Sequence, residues 1–263
     1  MPGNKVLVER RGTVTLLTIN RPEVRNCIDG ETADGLTAAI EEFGADDNAR
    51  VLVVTGAGGR AFCAGADLRA IDELIGRPGA VEHAPLGFSN LEPGKPRVAA
   101  VEGYCVGGGI ELACWCDFAV AGEGAVFAAL NREAGVPWVD GGTQRMTRRI
   151  GTGNALYVLE TGERIEASRA LAMGLAQEVV PHGKALARAM ELAARIASFG
   201  QTSLRSDRRS ALATFGVPLG EGLVLEAELG TPTAEHPEFA DGVRRFRERR
   251  TKEGGGAADA LHP

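Results

Sequence analysis

The stretch "GYCVGGGIELACWC" (Gly103–Cys116) sets three consecutive glycines where a helix should begin, and places one carboxylate, Glu111, inside an apolar run. Glycine is costly inside a helix, and a buried charge costs more unless something uses it. Upstream, "RVAAVEG" reads as a short buried strand, so the glycines open a helix directly after a strand. Free backbone N–H groups point outward at such a helix start and favour negative charge. Without a Cβ, a ligand can approach the main chain there and present a phosphate or a developing oxyanion. No Lys-Ser or Lys-Thr follows, so a P-loop is not supported. Glu111 lies three residues past Gly108, one turn on and on a similar face. That arrangement suits proton transfer beside a polarised carbonyl. A tight strand–helix junction with the glutamate paired to an arginine fits the same residues equally well.

Working outward, "KVLVER" and "TVTLLTI" read as a hairpin, and "ETADGLTAAIEEFGADD" as an amphipathic helix. "RVLVVTG" is a β-branched run of the kind expected for a strand buried on both faces. "AGADLRAIDELIG" has helical spacing through Leu68, Ile71, Leu74 and Ile75. Residues 76–95 form a long loop rich in proline and glycine. "DFAVAGEGAVFAAL" reads as two short strands around a glycine turn. Beyond Thr143 the pattern is mostly helical, clearest in "ALARAMELAARIASF" and "EFADGVRRFRERR". The tail "KEGGGAADALHP" has the composition of a frayed linker.

The 263 residues, 44% hydrophobic and 24% charged, are those of an ordinary globular chain able to bury a sizeable core. A net charge of −6 argues against a nucleic-acid surface. No apolar run is long enough to span a bilayer, and the N-terminus lacks the apolar core of a signal peptide. A cytoplasmic location is expected. The five cysteines have no metal-ligand spacing and read as buried thiols, so no metal site is expected. Gly56 to Ala61 superficially fits a dinucleotide fingerprint, but Phe62 to Gly65 interrupts the helix that should receive the pyrophosphate. There is no G-x-S-x-G elbow, and nothing pairs Cys63 with a histidine.

"AFCAGADL" together with "KPRVAAVEGYCVGGGIELACWCDFAVA" resembles the enoyl-CoA hydratase/isomerase (crotonase) superfamily. The likeness extends to "INRPEVRNCID", "GGTQRMTRRIG" and "TGERIEASRALAMGLAQEVVP", in order over most of residues 5–200. The resemblance implies an α/β fold: a crotonase-like spiral of ββα units over 1–199, followed by a C-terminal helical trimerisation region over 200–263. It implies an acyl-CoA substrate, no separate cofactor because CoA arrives with the substrate, no nucleic-acid or membrane partner, and a homotrimer or dimer of trimers. The amides of Ala66 and Gly108 would form an oxyanion hole. Ala64, Gly65, Ala66, Asp67 and Leu68 would contact CoA through main-chain atoms, and Arg25 its phosphates. Glu111 would be the catalytic acid–base group.

One departure stands out. Hydratases of this family use a second glutamate about twenty residues after the first, and that position is Asn131. Asp140 and Glu133 are the carboxylates that could substitute for it. Three activities therefore stay open: hydration with Glu111 assisted by an Asn131-held water or by Asp140, isomerisation with one carboxylate, and acyl-CoA binding without turnover.

Overall fold

A computed structural model describes residues 4–76, 82 and 84–252. Ten strands occur among them: β1 (Val6–Arg11), β2 (Val14–Ile19), β3 (Val51–Gly56), β4 (Ala61–Cys63), β5 (Arg97–Val101), β6 (Tyr104–Val106), β7 (Phe118–Gly122), β8 (Val126–Ala128), β9 (Ile165–Glu166) and β10 (Glu178–Val180). The helices are α1 (Gly30–Ala45), α2 (Ile71–Gly76), α3 (Gly108–Trp115), α4 (Gly142–Ile150), α5 (Thr152–Thr161), α6 (Ala167–Met173), α7 (Ala185–Ala197), α8 (Gln201–Ala213), α9 (Leu219–Gly230) and α10 (Pro237–Lys252). The chain divides into two compact units, Met1–Ala197 and Ser198–Pro263.

In the first unit a six-stranded sheet runs β1-β2-β3-β5-β7-β10. Only the β1–β2 hairpin is antiparallel. Alternate residues Val14, Leu16, Val51, Val53, Val98, Ala100 and Val120 face an alanine stripe on α7 (Ala185, Ala189, Ala193, Ala197). Their neighbours Leu17, Ile19, Leu52, Val54, Ala99, Val101, Ala119 and Ala121 join the larger core on the other face. Burial on both faces is why β3 and β5 read as unbroken apolar runs. Spacing of four along α7 puts its alanines on one face, and their small side chains fit it against the sheet.

A second sheet, β4-β6-β8-β9, holds the site. The two strands expected in "DFAVAGEGAVFAAL" are present on either side of the glycine turn, but in different sheets: β7 pairs in parallel with β5 and β10, whereas β8 pairs with β6 and β9. The turn at Gly122–Ala125 hands the chain from one sheet to the other. Strand–strand–helix units recur in this way (β3, β4, α2; β5, β6, α3), the order that the family resemblance implies.

The helix expected over "AGADLRAIDELIG" is broken. Leu68–Ala70 forms a single 3-10 turn capped by Asp67, and α2 follows with only Leu74 buried; Leu68 and Ile75 are exposed. The glycine-rich tail beyond residue 252 lies outside the described residues, as do positions 77–81 and 83 of the long loop. Among the described residues of the second unit the regular elements are all helical: α8, α9, a short 3-10 helix at Thr231–Glu235, and α10. No helix among the described residues is long and apolar enough to cross a membrane.

Candidate active site

The glycines of the opening stretch do what their residue type permits. Gly107 takes φ +54°, a conformation that disfavours side chains, and turns β6 into α3, whose first residue is Gly108. A Cβ on Gly109 would fall 2.1 Å from the Cys63 carbonyl oxygen, so the helix packs against β4 through bare backbone. Gly65, at φ +84°, lies so close that its Cβ would sit 2.7 Å from the Gly108 nitrogen. The Gly108 Cβ position is itself 3.7 Å from the Ala66 nitrogen. Two amides forty-two residues apart in the chain thus lie side by side.

Neither amide is used by the fold. Ile28 receives the backbone on either side of Ala66, donating to the Gly65 carbonyl (2.8 Å) and accepting from the Asp67 N–H (2.7 Å). The Ala66 N–H therefore faces the other way. Among the described residues, neither the Ala66 nor the Gly108 N–H has a protein acceptor. Paired donors of this kind can stabilise an oxyanion.

Glu111, one turn into α3, is 2% exposed. Its Oε1 accepts from the N–H groups of Asp140 (2.9 Å) and Gly142 (3.0 Å), leaving Oε2 without a protein partner among the described residues. Burial pushes the carboxyl up from 4.5 to about 8; the amides oppose this and the neighbouring Asp140 charge adds to it. The group is thus predominantly protonated at neutral pH and able to give a proton and take it back. Gly142 has to be glycine: a Cβ there would lie 2.5 Å from Glu111 Cγ and 2.6 Å from Trp138 Cε3.

Asp140 is buried beside Glu111, and its Oδ1 accepts from the Leu86 N–H at 2.9 Å. Asn131 turns into its own loop: Nδ2 donates to the Val136 carbonyl at 2.6 Å, and Oδ1 is buried with no partner among the described residues. The indole Nε1 of Trp138 is likewise buried with no acceptor among the described residues. Glu133 is exposed in the turn that follows. Glu111 and Asp140 are therefore brought together, whereas Asn131 and Glu133 do not present a second carboxylate beside them.

The remaining residues of interest lie near the Ala66 amide. Arg25 is exposed, in left-handed backbone at φ 56°; its carbonyl accepts from the Ala64 N–H at 3.1 Å and its guanidinium lies 5.3 Å from the Tyr104 ring centroid. Leu68, which follows Asp67 in the chain, is exposed. The Asp67 side chain is already committed to Arg21 and Arg69, both at 3.1 Å, which lowers its pKa despite the opposing cost of burial. Asn26 is a residue the sequence reading missed. Fully buried at φ 56°, it accepts from the Arg21 N–H and donates to the Ala57 and Ala61 carbonyls, knotting the Arg25 loop to the β3–β4 turn. Its signal was only the tolerance of asparagine for left-handed backbone. Ser89 and Arg145, which brace Asp140, were missed too.

Four of the five cysteines (Cys63, Cys105, Cys114, Cys116) are buried, and burial pushes the thiols of Cys63 and Cys116 up to about 12. They are unsuited to nucleophilic work.

The paired amides and buried carboxyl on this fold define a class. A family model for enoyl-CoA hydratase/isomerase matches residues 9–254, and the chain belongs to that family. Among curated relatives, it is 34% identical to the 2,3-dehydroadipyl-CoA hydratase of Escherichia coli, covering 94% of this chain and 97% of that one. The short-chain-enoyl-CoA hydratase of Clostridium acetobutylicum is 31% identical over 95% of this chain and 97% of its own length. Among solved structures, the enoyl-CoA hydratase EchA1 from Mycobacterium marinum superposes with a TM-score of 0.88 at 33% identity, covering 94% of this chain and 97% of that one.

Proposed function

We propose that this chain is an acyl-CoA enzyme of the enoyl-CoA hydratase type. The observation that carries the reading is the pair of unused amides, Ala66 and Gly108, beside a buried carboxyl with one free oxygen. A thioester oxygen seated on the two N–H groups draws charge as water adds at Cβ, and the amides stabilise the resulting enolate. Neutral Glu111 then delivers the proton from Oε2 to Cα, and its carboxylate takes one from the attacking water. Proton balance closes on a single group, which is regenerated each cycle. The main chain of Ala64 to Leu68 and the exposed Arg25 would hold CoA, so no separate cofactor is needed. Asp140 touches the same centre and is the only other carboxylate we place there.

A second reading, enoyl-CoA isomerase, is favoured by one observation: the side chain at that position is the amide of Asn131, held through Nδ2 on the Val136 carbonyl, and an amide cannot take a proton from water. Isomerisation needs only that one carboxyl move a proton between carbons. Incubation with crotonyl-CoA and with 3-butenoyl-CoA separates the two. A 3-hydroxyacyl product from crotonyl-CoA supports hydration; crotonyl-CoA from 3-butenoyl-CoA without hydration supports isomerisation. Product from neither overturns both and leaves a binding role. We assign residues 200–263 to trimerisation, in a homotrimer or dimer of trimers in the cytoplasm. Exposed Phe215, Leu219, Leu223, Val224 and Phe246 form apolar surface that a partner subunit would cover.

A further inference from the structure

The segment 84–91 is tied down beside the site by several anchors. The Leu86 N–H donates to Asp140 Oδ1 at 2.9 Å, and Ser89 Oγ donates to the Asp140 carbonyl at 2.6 Å. The Arg145 guanidinium spans both strands of this contact, donating to Ser89 Oγ (3.0 Å), to the Ser89 carbonyl and to the Asp140 carbonyl (3.2 Å). Thr37 Oγ1 donates to the Gly87 carbonyl at 2.7 Å, and Phe88 packs edge-on against Trp115. Held in this way, Leu86 is 3% exposed, and its Cδ1 lies 2.4 Å from where a Gly108 Cβ would be. That same point is 3.7 Å from the Ala66 nitrogen. The leucine methyl therefore rests on Gly108 on the side that looks toward Ala66.

We propose that Leu86 determines specificity at the acyl Cα and that Asp140 is the positioning residue that seats it. This rests on the acyl-CoA reading above. A carbonyl oxygen shared by the Ala66 and Gly108 amides brings its carbon, and the next carbon along, beside Gly108. An alkyl branch on that next carbon is the substituent that meets Leu86 Cδ1, while chain beyond Cβ is already two bonds further away. The substrate class is thus 2-enoyl-CoA carrying hydrogen at Cα, with α-methyl thioesters rejected. A pocket that lacks room for one methyl typically discriminates by about 10- to 200-fold. Asp140 acts here through its bond to the Leu86 N–H, without transferring a proton.

The test measures dissociation constants of butyryl-CoA and 2-methylbutyryl-CoA for the intact protein by calorimetry, so that no turnover is required. The native protein is expected to prefer butyryl-CoA by at least about tenfold. Leu86→Ala narrows the ratio to within about threefold, and Leu86→Val, which loses both δ methyls at less risk to folding, narrows it in the same direction. Asp140→Asn keeps the preference because its amide oxygen still accepts from the Leu86 N–H, whereas Asp140→Ala loses it. Equal affinities in the native protein, or a preference that survives both Leu86 variants, overturn the assignment. Asn and Ala at 140 acting alike removes Asp140 from it. If neither thioester binds, the acyl-CoA reading fails as well; if both bind equally, only the present inference does.

Discussion

Replacing Glu111 by glutamine separates its two costs, one to stability and one to rate. The side chain keeps its shape, and Oε1 can still accept from the Asp140 and Gly142 amides. What disappears is the ionisation. Burial raises the carboxyl from 4.5 to about 8, so the fold favours the protonated form. That favour is whole below pH 4.5 and is lost as pH rises through about 8. At about 1.4 kcal/mol per pH unit the loss across this window is roughly 5 kcal/mol, a large part of a typical domain's stability. Glu111→Gln carries no such loss. Its stability relative to the native protein should climb with pH from about 5 to about 8 and level off above. Urea denaturation of both proteins between pH 5 and 9, at one fixed protomer concentration, measures the difference directly. Meanwhile crotonyl-CoA turnover should fall about a hundred- to ten-thousand-fold. A stability difference that does not change with pH would show that Glu111 is ionised in the folded state. The account of it as a resting proton donor would then be wrong.

Gly108→Val should drive a branched side chain into Leu86 and block the amide pair, lowering turnover by about two to three powers of ten. Native-like turnover in a folded variant, checked by circular dichroism, refutes the amide assignment. Asn131→Glu removes the bond to Val136, restores a carboxylate at the second position, and should raise crotonyl-CoA hydration in a steady-state assay; a slower variant would count against that position. Asn26→Ala deletes three hydrogen bonds, two of them to carbonyls left behind, and should cost about 3 kcal/mol by urea denaturation. A loss under about 0.5 kcal/mol would mean that solvent replaces the knot.

The parts of the fold written in local pattern were legible. β3 and β5 announce themselves because both of their faces are buried, and Gly107 to Gly109 mark a helix start after a strand. Partner choice was not: β7 and β8 read as two short strands around a glycine turn, and nothing within those residues says that they belong to different sheets. The site shows the same division. Glu111 stands out as a charge among apolar neighbours, and the glycines as bare backbone. The closeness of Ala66 to Gly108 depended on the family resemblance, since no local rule brings residues that far apart together. Leu86, Ser89 and Arg145 had no signal at all. They sit in a loop without periodicity or on a helix with three arginines that nothing local tells apart, and their roles arise only when the Asp140 turn is folded against them.

The buried thiols described above also equip this chain to report on its own opening. A small aromatic disulfide added to the native protein can reach the half-buried Cys27 first, because Cys63, Cys105, Cys114 and Cys116 are enclosed and held as unreactive thiols. Those four sit on β4, on β6 and at the end of α3, around the helix that carries Glu111. The release of aromatic thiolate as each of them exchanges therefore reports the opening of the core beneath the amide pair, with no residue engineered into the chain for the purpose.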